Sequence, residues 1–212
     1  MKIYDISQEV FASEVYPGDP VPERQILSRM EDGDLYNLTA FRMCAHNGTH
    51  VDAPAHFFKD GKGIDAIAME HFVGLCYVAE WEGELTAEGV ITILEKIRAV
   101  NAQSAKRILL KGNVVVTEEA AAVFAEAGLL LLGNESQTVG PKEAPMAVHL
   151  TLLGAEVVLL EGIRLQDVVE GVYFISAAPL NLGGADGAPC RAILIEPEEM
   201  LHEAGRVGYG FF

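Results

Sequence analysis

Residues 45–57 read AHNGTHVDAPAHF, and between positions 46 and 56 they gather three of the chain's six histidines with one aspartate. Imidazoles and carboxylates are the side chains that ligate divalent cations and carry protons near neutral pH. His46 and His50 are four apart, a spacing that on a helix puts both on one face, as in HExxH zinc sites. Gly48, the β-branched Thr49 and Val51, and Pro54 all disfavour a helix here. In extended backbone, alternation instead places His46, His50, Asp52 and His56 on the same side. Three imidazoles and a carboxylate would then converge on one patch suited to a cation. The competing reading is a solvated polar loop, or core histidines satisfied by backbone carbonyls; four such groups in phase, flanked by Gly and Pro, favour the metal.

A frame must hold that patch. Residues 2–6 are expected as a strand, and YPGDP (16–20) as a turn, with Pro17 presetting φ and Gly18 supplying a positive one. Leu38 to Cys44 alternates as a strand would and leads straight into the histidines. FVGLCYVAE (72–80) is another strand. Beyond it Thr86 can cap a helix whose Val90, Leu94 and Ile97 share a face, with RILL (107–110) following as a buried strand. Thr117 caps a second helix ending at Gly128, followed by a strand at LLLL (129–132). APMAVHLTLLGA (144–155) reads as a third helix, EVVLLE (156–161) as a strand, and VYFISA and CRAILIE close the order. An antiparallel start, a helix–strand middle and a strand finish describe one mixed-sheet α/β domain spanning residues 1–212.

Bulk properties limit the partners. The chain has 212 residues, half of them apolar, enough to bury a core without disulfides. A formal charge of −16 repels nucleic acid and anionic membranes. Three cysteines, odd in number and without a CxxC pair, argue against a disulfide framework or thiolate zinc site and for a reducing cytoplasm. The charged N-terminal segment lacks a signal-peptide core, and no apolar run is long enough to span a bilayer. The apolar VGYGFF at the C-terminus is expected as a buried tail or subunit contact, in a homo-oligomer with a dimer as first choice.

HNGTHVDAPAH resembles the HxGTHxDxPxH signature of the metal-dependent cyclase family, which includes bacterial kynurenine formamidase and isatin hydrolase. YPGDP, a later histidine followed twelve positions on by an acid, and APLNLGGADGAPCRAILIE fall in the family's order, so the resemblance covers essentially the whole chain. It implies a swivelling β/β/α-type fold. It implies His46, His50 and Asp52 as ligands of a first metal and Asp52, His149 and Glu161 as ligands of a second, with Asp52 and Glu161 able to bridge. It leaves His56 as an unligated acid/base and places Tyr16 in the substrate pocket. Taken alone, His149 in MAVHLTLL reads as a core histidine, Glu161 as a strand-end solvent residue, and Tyr16 as packing beside its turn. An N/O donor set without thiolate suits Zn²⁺ first and Mn²⁺ second.

A bound metal pair lowers the pKa of its water toward ~7 and polarises a carbonyl. An unligated histidine beside it can deliver the proton that a departing amine needs. The reaction expected is metal-dependent hydrolysis of a small amide by metal-bound hydroxide, with N-formylkynurenine, related formamides and cyclic amides as candidate substrates. A ring-closing or dehydrating cyclase and a non-catalytic metal- or small-ligand-binding protein are the alternatives. No GxSxG supplies a serine nucleophile, and Cys44 is expected as a buried core thiol. Two departures from the family pattern leave the substrate open: Tyr16 stands where formamidases of the family carry Trp, and GNESQTV (133–139) replaces GIDTxSV. LGGADGAP (182–189) lacks the lysine of a phosphate loop and reads as a turn-rich loop near the pocket or subunit boundary. His71 and His202 receive no role.

Overall fold

The computed structural model describes residues 1–196; VGYGFF and His202 lie outside them. The middle of the chain lays down four aliphatic strands side by side and parallel: β5 (Val73–Glu80), β7 (Arg107–Lys111), β9 (Leu131–Asn134) and β10 (Val158–Glu161). Parallel strands need long crossovers, and three helices provide them: α1 (Ala87–Asn101), α2 (Glu118–Glu126) and α3 (Met146–Gly154). Antiparallel strands extend the sheet on both sides. β11 (Gly171–Ser176), β13 (Ile193–Ile195) and β1 (Ile3–Asp5) continue from β5, and β4 (His50–Asp52) and β12 (Gly187–Pro189) continue from β10, giving nine strands in the order β1-β13-β11-β5-β7-β9-β10-β4-β12.

Alternation along these strands divides the core in two. Tyr77, Ala79, Ile108, Leu110, Leu132 and Leu159 pack with the helices, while Cys76, Val78, Leu109, Leu131, Val158 and Leu160 face the opposite cluster with Ile64, Ile67 and Phe72. Each Val, Leu, Ile or Phe among them, removed from water, stabilises the fold by about 1.5–3 kcal/mol before entropy is counted. The Thr86 and Thr117 side chains accept hydrogen bonds from the Gly89 and Ala120 amides, so both expected N-caps form. In α1 the buried Val90, Ile93, Leu94 and Ile97 recur at helical spacing.

Two differences from the sequence reading have local causes. The strand expected at LLLL begins two residues later, at Leu131, because Gly128 takes φ +67° after α2 and Leu129 and Leu130 are spent in the return to the sheet. The strand expected from Leu38 to Cys44, β3 (Leu38–Arg42), stops two residues short and joins a separate two-stranded ribbon with β2 (Glu23–Ser28). The shorter β6 (Gly83–Leu85) and β8 (Val114–Val116) form a second small sheet.

Candidate metal centre

Strand pairing places half of the site. β4 runs antiparallel to β10 with His50 opposite Glu161 and Asp52 opposite Leu159. Residues opposite one another share a face, and Leu159 packs in the helical layer, so His50, Asp52 and Glu161 look toward that layer while Val51 belongs to the other cluster. Helix α3 crosses there and buries His149 alongside Val148, Leu152 and Leu153.

The expected alternation holds only for His50 and Asp52. Residues 45–49 form a turn and bend in which Gly48 has φ +68°, and residues 54–56 form a 3₁₀ turn opened by Pro54. Gly and Pro therefore break the extended backbone on both sides of β4. His46 and His56 reach the patch through these turns, with ring centroids 4.1 Å apart.

The carboxylates each divide their two oxygens. Asp52 presents Oδ1 to His46 Nδ1 at 2.8 Å and His50 Nε2 at 3.4 Å, and Oδ2 to His149 Nε2 at 3.7 Å. Glu161 presents Oε2 to His50 Nε2 at 3.5 Å and Oε1 to His149 Nε2 at 3.3 Å, and Oε1 also accepts the Val139 amide at 2.7 Å. Two histidines are fixed from behind: His50 Nδ1 donates to the Gly48 carbonyl at 3.1 Å and His149 Nδ1 to the Pro145 carbonyl at 2.9 Å. A carbonyl only accepts, so both Nδ1 atoms carry hydrogen and each neutral ring turns an Nε2 lone pair toward a carboxylate. Lone pair against carboxylate is repulsive unless a proton or a cation lies between them.

Protons fill that role in the metal-free electrostatics. Burial opposes charging of His46, but the Asp52 and Asp186 carboxylates outweigh it and raise its pKa to about 9. Burial likewise lowers and Glu161 and Asp52 more strongly raise His50 and His149, with a net upward shift in both. Asp52 is pushed up by burial yet held below the usual carboxylate range by its His46 contact and the surrounding imidazoles. Divalent cations satisfy the same demand. His46, His50 and Asp52 offer donor atoms within 4.8 Å of one another, as do Asp52, His149 and Glu161 and, less buried and without Asp52, His46, His56 and Asp186. Asp52 and Glu161 are 1% and 2% exposed. Nitrogen and oxygen donors around two buried carboxylates suit a borderline or hard divalent ion.

Asp186, which the sequence reading passed over inside LGGADGAP, stands beside this cluster. Its Oδ2 lies 2.9 Å from His46 Nε2 and 3.3 Å from His56 Nδ1. An acid in a glycine-rich loop was the available signal, but only the β12–β4 pairing brings it to His46. The structure does not bring Tyr16 into the cluster. Tyr16 opens the 16–19 turn, closed by an Asp19 amide to Tyr16 carbonyl bond of 3.0 Å, and lines a cavity of about 840 Å³ with Gln137, Thr138 and Lys142. The departing loop 133–139 is tied down by its own unusual residues. Asn134 donates to the Thr138 carbonyl, and Glu135 accepts from the Gly112 and Leu165 amides. That loop delivers the Val139 amide to Glu161. Cys44 is half-buried rather than in the core, with Sγ 3.9 Å from Asp19, and burial and Asp19 keep its thiol protonated. His71 lies away from the site, its Nδ1 at the Ala68 carbonyl.

Comparison with known proteins gives the chain a family. The family described as "Putative cyclase" matches residues 4–141. The kynurenine formamidase of Salinibacter ruber is 33% identical over 92% of this chain and 97% of its own length, and that of Erythrobacter litoralis 30% identical over 92% and 94%. A predicted metal-dependent hydrolase from Bacillus stearothermophilus superposes with TM-score 0.74 at 28% identity, covering 91% of this chain and 97% of that one. Isatin hydrolase A from Labrenzia aggregata shares the fold, with TM-score 0.77 at 22% identity over 91% of this chain and 93% of its own. On the family match and the near full-length relatives, this chain belongs to the cyclase family.

Proposed function

We propose that the chain is a metal-dependent hydrolase of small amides, with arylformamides of the N-formylkynurenine type as the first substrate class and cyclic amides as the second. The observation that carries this reading is the pair of buried carboxylates, Asp52 and Glu161, each with one oxygen toward a histidine of either triad built on Asp52, next to His56, which is grouped with His46 and Asp186 and with neither buried carboxylate. His46, His50 and Asp52 would hold one cation, Asp52, His149 and Glu161 the other, with Zn²⁺ preferred and Mn²⁺ second. When bound, the pair supplies Lewis acidity, lowering the pKa of water and polarising the amide carbonyl.

The chain supplies the proton path. The His56 side chain is 29% exposed, so it meets both the cluster and solvent. With Nδ1 occupied by Asp186, its Nε2 is the atom left to take a proton from the attacking water and return it to the leaving nitrogen as the C–N bond breaks. The products are a carboxylate and an amine. The relatives named as kynurenine formamidases support the substrate class, and Tyr16, on the wall of its cavity, is the proposed substrate contact. The test is metal analysis of the purified protein with a hydrolysis screen over formamides, lactams and lactones. Two metals per chain and turnover of N-formylkynurenine or a simpler arylformamide are expected; a fully loaded protein inert to every amide would overturn the reading.

A second copy of the chain is the proposed macromolecular partner. Val21, Leu27, Met30, Leu35, Tyr36 and Phe41, on and around the β2–β3 ribbon, are each half or more exposed. An isolated two-stranded ribbon is marginal in water, and covering these side chains with a second copy would remove apolar surface from water on both chains. Light scattering is expected to give a dimer that Leu35→Asp converts to monomer; an unchanged mass for that variant rejects the ribbon as the contact. Three free thiols suit the cytoplasm, and no helix among the described residues is long and apolar enough to cross a membrane.

A further inference from the structure

Asp186 belongs to neither donor triad completed around Asp52, yet the fold is built to hold it against two of the histidines. Its own carbonyl accepts the Ala53 amide at 2.9 Å, the neighbouring Ala185 carbonyl accepts the Ile64 amide at 2.8 Å, and the Gly184 amide donates to Asp65 Oδ1 at 2.8 Å. The next residue, Gly187, pairs with Asp52 in the β12–β4 ladder. A Cβ at Gly187 would sit 2.9 Å from His46 Cε1 and 2.7 Å from the Val51 carbonyl. Only glycine lets this loop come so close to the His46 ring.

From this placement we infer that Asp186 is a positioning residue that sets the tautomers of His46 and His56 together, through one oxygen. The inference rests on the metal-dependent reading above. A carboxylate only accepts, so in the neutral ring that a cation on Nδ1 would require, the bond to Asp186 Oδ2 keeps the hydrogen on Nε2 and leaves Nδ1 free to ligate in place of its metal-free bond to Asp52. Nδ1 is the atom that lies 2.8 Å from Asp52 Oδ1, on the side where a cation would be held. The same oxygen accepts from His56 Nδ1, which leaves His56 Nε2 bare to receive a proton. One ring thus becomes a ligand and its close neighbour a base, although both carry the same functional group. An outer carboxylate that fixes a ligating imidazole, and a buried aspartate that orients a catalytic one, are separate devices elsewhere; here one side chain serves both.

The test uses the zinc-loaded, ¹⁵N-histidine-labelled protein, and its first readout does not depend on turnover. In the wild type, long-range ¹H–¹⁵N spectra are expected to show His56 with hydrogen on Nδ1. Asp186→Ala should convert His56 to a mixture of tautomers, whereas Asp186→Asn, which keeps an acceptor oxygen, should largely retain the Nδ1–H form. An unchanged His56 tautomer in Asp186→Ala overturns the proposal, and does so even where no substrate has been found. The second readout is kinetic. Asp186→Ala should lower kcat about 10–100-fold, the usual effect of such an outer partner, with KM little changed and full metal content at saturating zinc. Combined with His56→Ala, the loss should fall well short of the product of the two single losses, because much of what Asp186 does passes through His56. Multiplicative losses, or a metal lost outright, would show that Asp186 acts elsewhere or is itself a ligand. A wild type that shows the expected tautomers but hydrolyses no amide rejects the proposed reaction and leaves the positioning role standing.

Discussion

His46, His50 and Asp52 lie within seven consecutive positions, whereas His149 and Glu161 reach the same aspartate from a helix and a strand far along the chain. The first triad depends on short-range backbone features: a left-handed Gly48, a three-residue strand, and Pro54 behind it. The second exists only because β10 pairs with β4 in one register and α3 packs over that pair. A slip of one residue between β4 and β10 would turn Glu161 to the opposite face of the sheet. The local triad is therefore encoded by conformation, and the distant one by packing. Asp52 is the corner they share.

Breaking that corner should have the largest effect. Asp52→Ala is expected to abolish turnover and to remove at least one metal per chain, measured by elemental analysis, since Asp52 is the one residue that belongs to both triads. Full metal content in this variant rules out the shared-corner arrangement. Next comes His56, which sits outside both triads. His56→Ala should keep its metal and lose on the order of 10²–10⁴ in kcat for amides. Activated esters and lactones should suffer less, because their leaving groups need less protonation, so the ester-to-amide ratio rises. Loss of metal in step with activity would move His56 into the ligand set.

Finer perturbations separate the triads from one another. Glu161→Gln should lower the metal-to-protein ratio or change metal preference while unfolding stays cooperative; unchanged metal and turnover would return Glu161 to a structural role. Leu152→Ala, wholly buried on α3 behind His149, should cost about 2–5 kcal/mol of stability. It should also weaken one metal equivalent while sparing the other, because only the distant triad leans on α3. Equal weakening of both, seen by calorimetric titration, would contradict the division.

The smallest effect is in pH dependence. The folded, metal-free protein holds His46 at about 9, above its ordinary 6.5, so its proton favours the fold below pH 6.5 and that contribution is lost as pH rises through 9. A bound cation replaces the proton. The rise in Tm on adding metal should thus grow between pH 6.5 and 9, and metal uptake in weak buffer should release protons. A pH-independent metal effect would mean that His46 binds no metal.

The same contrast decides how much could be read without coordinates. Thr86 and Thr117 announce their helices because capping is a contact between near neighbours, and the short unbroken apolar runs in RILL and EVVLLE mark strands buried on both faces. The histidine motif is legible from parity, although parity is correct only for His50 and Asp52. His46 and His56 arrive through turns that Gly48 and Pro54 impose. The exposed β2–β3 ribbon and the two-residue shift of β9 were not legible, since each depends on where the chain must next connect.

What the sequence by itself determined is the chemistry on offer: nitrogen and oxygen donors without thiolate, a surplus histidine, an acidic chain, and a mixed α/β order of elements. These are properties of residue type and short-range spacing. Tertiary structure alone decided that Glu161 points inward rather than to solvent, that His149 turns Nε2 toward it with Nδ1 on the Pro145 carbonyl, and that Asp186 touches both His46 and His56. Each is a long-range pairing between groups that carry no mark of their partner in the chain. Strand register and the approach permitted by Gly187 select those partners, and both are set by how the sheet closes.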